Sequence, residues 1–188
     1  MILFLVLFLQ GTFPWSPDAR CKLNPAHPDG LHPDAYAALS SRSIAHRITQ
    51  GINHASSRGN VHDTDVTIKG KAYTGAADIS VRCLSESQIK TLLAQLADLG
   101  FAAWYRKEGQ DGWIGPTHIH AVFAGSALKP VLRSQVESWL VGKNGLGSNQ
   151  PYQFWQPSPE MTDKVRTLYR NSNVQRNDAA LNSGRSIR

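Results

Sequence analysis

The sequence predicts an α+β fold in which a small, mostly antiparallel sheet is flanked by helices. Two observations carry this expectation: short strand-forming segments gather in the middle of the chain, and the elements follow the order helix, hairpin, helix, strand, strand, helix. At 188 residues with an ordinary globular composition, the chain is long enough for one domain with a proper core and too short to favour a second.

Residues 34 to 53 carry Tyr36, Leu39, Ile44, Ile48 and Ile52 at roughly helical spacing, and Pro33 is well placed to open a helix. Residues 54 to 60 have the composition of a loop. Residues 61 to 81 read as a β-hairpin, with Val66, Ile68, Tyr73, Ile79 and Val81 as strand formers about a turn at Lys69, Gly70 and Lys71. A three-residue loop there sets His62 across from Asp78, close enough for both to reach one ion, whereas a one-residue slip or a bulge at Gly75 breaks that alignment.

A second helix is expected over residues 86 to 99. Ser85 and Gln88 form a capping box, Ile89, Leu92, Leu93 and Leu96 make an apolar stripe, and Gly100 supplies the stop. Residues 101 to 106 read as a strand and 107 to 112 as a polar loop. Residues 117 to 123 form a further strand, whose period of two sends His118, His120 and Val122 to one face and Thr117, Ile119, Ala121 and Phe123 to the other. Lys129 and Pro130 open a helix to about residue 141, and residues 142 to 151 are a glycine-rich loop. Trp139, Tyr152, Phe154 and Trp155 either pack beneath the sheet or form a sugar-binding platform, and packing is the safer expectation.

The ends differ from the middle. The first nine residues are uninterruptedly apolar, too short a run to span a bilayer but the length of a signal-peptide core. Residues 1 to 19 are therefore read as a signal peptide, with a buried N-terminal strand as the alternative, and 20 to 33 as a linker or ordered arm. The main domain is placed at 34 to 158, and 159 to 188 is read as a basic C-terminal tail. The net charge is +6, and most of it lies in residues 161 to 188 of that tail, where six Lys or Arg stand against two acids. Export would place the protein outside the cytoplasm, in a secreted or periplasmic setting, and would let Cys21 and Cys83 form one disulfide. There is no Cys-x-x-Cys spacing, which excludes a thiolate zinc site, and no recognisable nucleic-acid motif.

His62, Asp78 and His120 offer the nitrogen and oxygen ligands that Zn2+ favours, leaving a fourth position for water, while His118 could act as a base or steady an oxyanion. Asp63 and Asp65 are near enough to serve as substitute ligands or to brace a ligand histidine. In the competing interpretation both are solvated, His62 ends a strand and Asp78 caps a turn. Arg58 could grip a substrate carboxylate through its planar fork, or be an ordinary loop arginine. Tyr73 and Trp113 are candidates for a cleft lining.

The segment Gly75-Ala76-Ala77-Asp78-Ile79, with His62 before it and His118-Ile119-His120 after it, resembles the zinc peptidase superfamily of D-alanyl-D-alanine carboxypeptidases, murein endopeptidases and hedgehog-type domains. The match covers about residues 34 to 123. It implies a hedgehog/DD-peptidase-like fold, Asp78 and His120 as zinc ligands, His118 as an accessory catalytic histidine, and hydrolysis of cell-wall peptides. Two positions depart from the pattern. The family's first histidine stands three residues before the glycine, where this chain has Ala72, and its carboxylate base often stands three residues before the last histidine, where this chain has Thr117. Glu108 or Asp111 could replace that acid.

The leading expectation is thus a monomeric, exported zinc peptidase or amidase acting on peptide or peptidoglycan, with no transmembrane span and no specific nucleic-acid partner. A non-catalytic zinc-binding module of the same fold is the alternative. A basic cell-surface or nucleic-acid binding protein without metal ranks last.

Overall fold

The structure, a computed structural model, describes residues 22 to 53 and 60 to 184, with side chains as far as Asn173. The signal-peptide expectation, Cys21 and Arg58 lie outside the described residues. The architecture is α+β, as the sequence predicts. One four-stranded antiparallel sheet has the order β1-β4-β6-β5, from β1 (Ile48–Gln50), β4 (Ala76–Ile79), β5 (Phe101–Arg106) and β6 (His118–Phe123), and β2 (Val66–Ile68) with β3 (Lys71–Tyr73) forms a separate two-stranded ribbon.

Strand alternation sorts the core into two layers. Ile79, Phe101, Ala103, Ile119, Ala121 and Phe123 face helices α1 (Pro33–Ser41) and α2 (Glu86–Asp98). Ala76, Ala102, Trp104 and Val122 face the other way, toward Leu132, Val136 and Trp139 of α3 (Pro130–Leu140) and Val165 and Tyr169 of α4 (Pro159–Gly184). This second face also carries Asp78, His118 and His120, by the same period of two. Helix α2 begins at its capping box, with both the Ser85 and the Gln88 hydrogen bonds formed.

Three expectations need correction. The first helix ends at Ser41, because Ser43 takes a left-handed φ of 56° and the β-branched Ile48 and Thr49 then pair as β1. The hairpin is shorter than expected and its register slips by one residue. Lys69 and Gly70 both have positive φ, 49° and 80°, so a two-residue turn of the type I′ kind opposes Thr67 to Ala72. Asp78 consequently belongs not to the hairpin but to β4, in the main sheet. The third correction concerns the basic tail: residues 159 to 184 form α4, whose Val165, Tyr169 and Ser172 are buried.

Residues 22 to 33 are an ordered arm tied to the domain rather than a spacer. His27 N–H donates to Ile48 O at 2.8 Å, Leu31 is buried and bridges Thr74, and His32 N–H donates to Thr74 O. Cys83 is disulfide-bonded, and no cysteine among the described residues is free. Among the described residues no helix is long and apolar enough to cross a membrane. Trp139 and Tyr152 are buried and Phe154 and Trp155 pack on both cores, so the aromatic cluster is packing.

Candidate metal centre

Asp78 and His120 are direct cross-strand partners in the β4–β6 pairing, on the sheet face that looks toward α3. His62 arrives from outside the sheet. Its loop is fixed by Asn60 Oδ1, which accepts from His62 N at 3.0 Å, and by Asn53 N–H, which donates to His62 O at 2.8 Å. One ligand atom from each of His62, Asp78 and His120 lies within 4.8 Å of the other two, so the three form a group that could hold a metal ion.

Hydrogen bonds on the outer side of each ring decide what faces inward. His62 Nδ1–H donates to Gly51 O at 2.9 Å, and His118 Nδ1–H donates to Pro116 O at 2.8 Å. A carbonyl can only accept, so each of these nitrogens must carry the proton. His120 Nε2–H similarly donates to Gln135 Oε1 at 3.1 Å. In the neutral rings the inward nitrogens then carry lone pairs, and all three converge on one atom: Asp78 Oδ1 is 3.1 Å from His62 Nε2, 3.0 Å from His120 Nδ1 and 3.3 Å from His118 Nε2. Three lone pairs and a carboxylate oxygen repel one another unless a proton or a cation lies among them.

The donor spacing fits such a cation. A tetrahedral ion with ligand arms of about 2.0 Å has edges of about 3.3 Å, close to the 3.1 and 3.0 Å from Asp78 Oδ1 to the two imidazoles. Gly51 O and Gln135 Oε1 are the outer partners that fix ring orientation in metal sites. His118 stands outside the ligand group but beside it, its ring edge-on to Trp113 with centroids 5.3 Å apart.

Electrostatics agree with the geometry. Burial opposes ionisation of Asp78, yet its hydrogen bonds to His118, His120 and His62 together hold the carboxyl well below the usual carboxylate range. Burial pushes His120 below the ordinary imidazole value despite Asp78, which favours the neutral, ligating form. For His118, burial is outweighed by the hydrogen bond and charge of Asp78 together with Pro116 O, and its pKa is raised.

The group lies in a cleft of about 790 Å³, a volume typical of small-ligand sites. Gln50 and Thr49 form one side, Trp113 and Pro116 another, and Val131 and Gln135 of α3 a third, with the loop at Gly145 to Gly147 closing the rim. That loop is pinned to the floor. Trp104 Nε1–H donates to Lys143 O at 2.8 Å, and a Cβ on Gly145, at φ 64°, would stand 3.0 Å from Trp104 Cζ2. Trp104 in turn stacks on His120, with centroids 6.2 Å apart and planes inclined by 20°.

The remaining candidates separate clearly. Asp65 is no ligand: its carboxylate accepts from Gly75 N at 2.6 Å and pairs with Lys129 Nζ at 3.3 Å. Asp63 Oδ1 accepts from Thr64 N, and neither acid lines the cleft. Glu108 and Asp111 are exposed on their loop and do not line it, so Asp78 is the only carboxylate that does among the described residues. Trp113 lines the cleft as proposed, while Tyr73 packs against His32 instead. Two contributors were missed. Gln135 carries no sequence signal. Arg106 does, as the one charged residue of its strand at the alternation that faces the histidines, and it is 3% exposed with burial lowering its pKa to about 10. Compared with models of known protein families, with curated proteins and with solved structures, the chain matches none.

Proposed function

We propose that the chain is a zinc-dependent hydrolase of peptide or amide bonds, with a hedgehog/DD-peptidase-like fold, acting on peptidoglycan peptides in a secreted or periplasmic setting. The observation that carries this reading is the convergence of three imidazole lone pairs on Asp78 Oδ1 at the floor of an open cleft. Zinc suits a mixed nitrogen and oxygen set with room left for water.

The hairpin offers an account of one of the two departures from the pattern the chain resembles. Asp65 N–H donates to Tyr73 O at 2.8 Å, so the ribbon leaves and returns at one point and residues 65 to 74 loop out beside the main sheet. Without them His62 would stand three residues before Gly75, the spacing of the family's first ligand. The disulfide at Cys83 supports an oxidising compartment.

An ion held by His62, Asp78 and His120 would supply a Lewis acid for the scissile carbonyl and lower the pKa of water in its open position. The chain's own residues do the rest. His118, with Nδ1–H fixed on Pro116 O, turns Nε2 toward Asp78 Oδ1 at the metal group, from where it would take a proton from the attacking water and deliver it to the leaving amine. Trp113 and Pro116 shield that imidazole from bulk solvent on one side. Thr117, at the family's acid position, accepts from Glu108 N–H at 3.2 Å through its hydroxyl and has no carboxylate with which to act as that acid.

The lack of a second cleft-lining carboxylate favours one alternative, a non-catalytic zinc module of the same fold. Zinc-loaded protein and its His118→Ala variant, incubated with muropeptides and followed by mass spectrometry, separate the two. The peptidase reading expects zinc retention in the variant with turnover reduced by about 10²- to 10⁴-fold. Equal turnover removes the role of His118, and no cleavage by either protein leaves the binding module.

A further inference from the structure

The cleft contains a second built feature that the hydrolytic reading does not use. Arg106 ends β5, directly opposite His118 across the β5–β6 pairing, and its side chain is on the same face as the metal group. It lines the cleft while being only 3% exposed. Its Nη2 is buried with no hydrogen-bond partner, and no carboxylate among the described residues lies within ion-pair distance of it. Asp111 and Asp78 act on it through their charge without forming an ion pair, and Asp78 Oδ1 is already surrounded by three imidazoles.

Burying a guanidinium without an anion is costly, and a protein keeps such a group where a ligand supplies the missing charge. Arg106 is also held in place before any ligand arrives. Its Cζ sits 5.1 Å from the Trp104 ring centre, and Trp104 is itself fastened to Lys143 O and stacked on His120. Stacking on an aromatic face fixes the plane of the guanidinium, and its paired N–H groups match the two oxygens of a carboxylate.

We infer that Arg106 is the anchor for the free C-terminal carboxylate of a peptide whose last amide bond lies over the metal group, which makes the enzyme a carboxypeptidase rather than an endopeptidase. This rests on the hydrolytic reading for the word enzyme, but the carboxylate site itself does not. Cross-strand neighbours have Cβ atoms about 4.5 to 5.5 Å apart, and one residue of peptide advances the chain by about 3.8 Å. Arg106 and His118 are therefore spaced to hold a terminal carboxylate and the adjacent amide together. An endopeptidase has no use for a buried cation there, because the chain continues past the scissile bond as neutral amides.

The test compares N-acetyl-D-alanyl-D-alanine with its C-terminal amide. Binding of each to the zinc-loaded full chain is measured by calorimetry and hydrolysis by amine release, in wild type, Arg106→Gln and Arg106→Lys. The free acid should bind at least about tenfold more tightly than the amide in wild type. Arg106→Gln should abolish that preference, and Arg106→Lys, which keeps the charge without the fork, should retain part of it and guards against a variant that merely unfolds. An acid preference in binding, lost in Arg106→Gln, with no hydrolysis of either compound supports the anchor while removing the peptidase reading. Equal affinity for acid and amide, a preference that survives Arg106→Gln, or no binding of either compound overturns the proposal. Loss of hydrolysis of acid and amide alike in Arg106→Gln, with the binding preference intact, also overturns it and moves Arg106 to the reacting oxygen.

Discussion

Replacing Asp65 with alanine tests how the scaffold holds the site without touching the metal group. The Asp65 carboxylate is fully buried, accepts from Gly75 N, Thr74 Oγ1 and Lys129 N, and pairs with Lys129 Nζ. It thereby ties together the base of the hairpin, the start of β4 that carries Asp78, and the N-terminus of α3 that carries Gln135. Removing one partner of a buried pair costs about 3 to 5 kcal/mol, because the other charge is left behind. Lys129 Nζ keeps a second acceptor in Asp63 O, which favours the lower end, about 3 kcal/mol. For a chain of this size that is a fall in Tm of about 6 to 12 °C. The assay is urea and thermal unfolding of metal-free Asp65→Ala, with Asp65→Ala/Lys129→Met as the second variant, since binding of metal would otherwise add to the apparent stability. The double variant should recover part of the loss, as the stranded ammonium is gone. Metal stoichiometry should be unchanged. A loss below about 1 kcal/mol, or a variant of full stability that no longer binds metal, refutes the structural role.

Two further predictions concern the metal group. Gln135→Ala frees the outer nitrogen of His120, and metal affinity should fall about 10- to 100-fold with the stoichiometry kept; unchanged affinity in a competition titration contradicts that role. Acidification should weaken metal binding, because ligation requires neutral imidazoles and protons compete for them as pH falls. The depressed pKa values of Asp78 and His120 keep both in the ligating form through neutral pH and into mild acid. Affinity that rises between pH 7 and pH 5 would show that the ligands are not these residues.

Local signals foretold the parts of the fold that rest on local physics. The capping box at Ser85 and Gln88, the alternation that puts His118 and His120 on one face, and Pro130 opening α3 all stand as the residues imply. Where tertiary context decides, the sequence misled. Ile44, Ile48 and Ile52 mimic a helical stripe, yet β1 forms there because β4 offers Ile79 and Asp78 as partners. A lysine is an unusual first residue for a two-residue turn, so the hairpin register was invisible. Helix α4 was masked by its charge, although Val165, Leu168, Tyr169 and Ser172 follow helical spacing. The group that could hold a metal was legible from residue types, but the route by which His62 reaches it was not: a loop braced by Asn60 and Gly51 does what a paired strand was expected to do.

The central claim is that His62, Asp78 and His120 hold one ion, and metal analysis of the purified full chain tests it most directly. The account predicts about one zinc per chain, retained through dialysis and absent from His62→Ala, Asp78→Ala and His120→Ala. A wild-type protein that takes up no metal after zinc is offered, or three variants that keep it, would contradict the account.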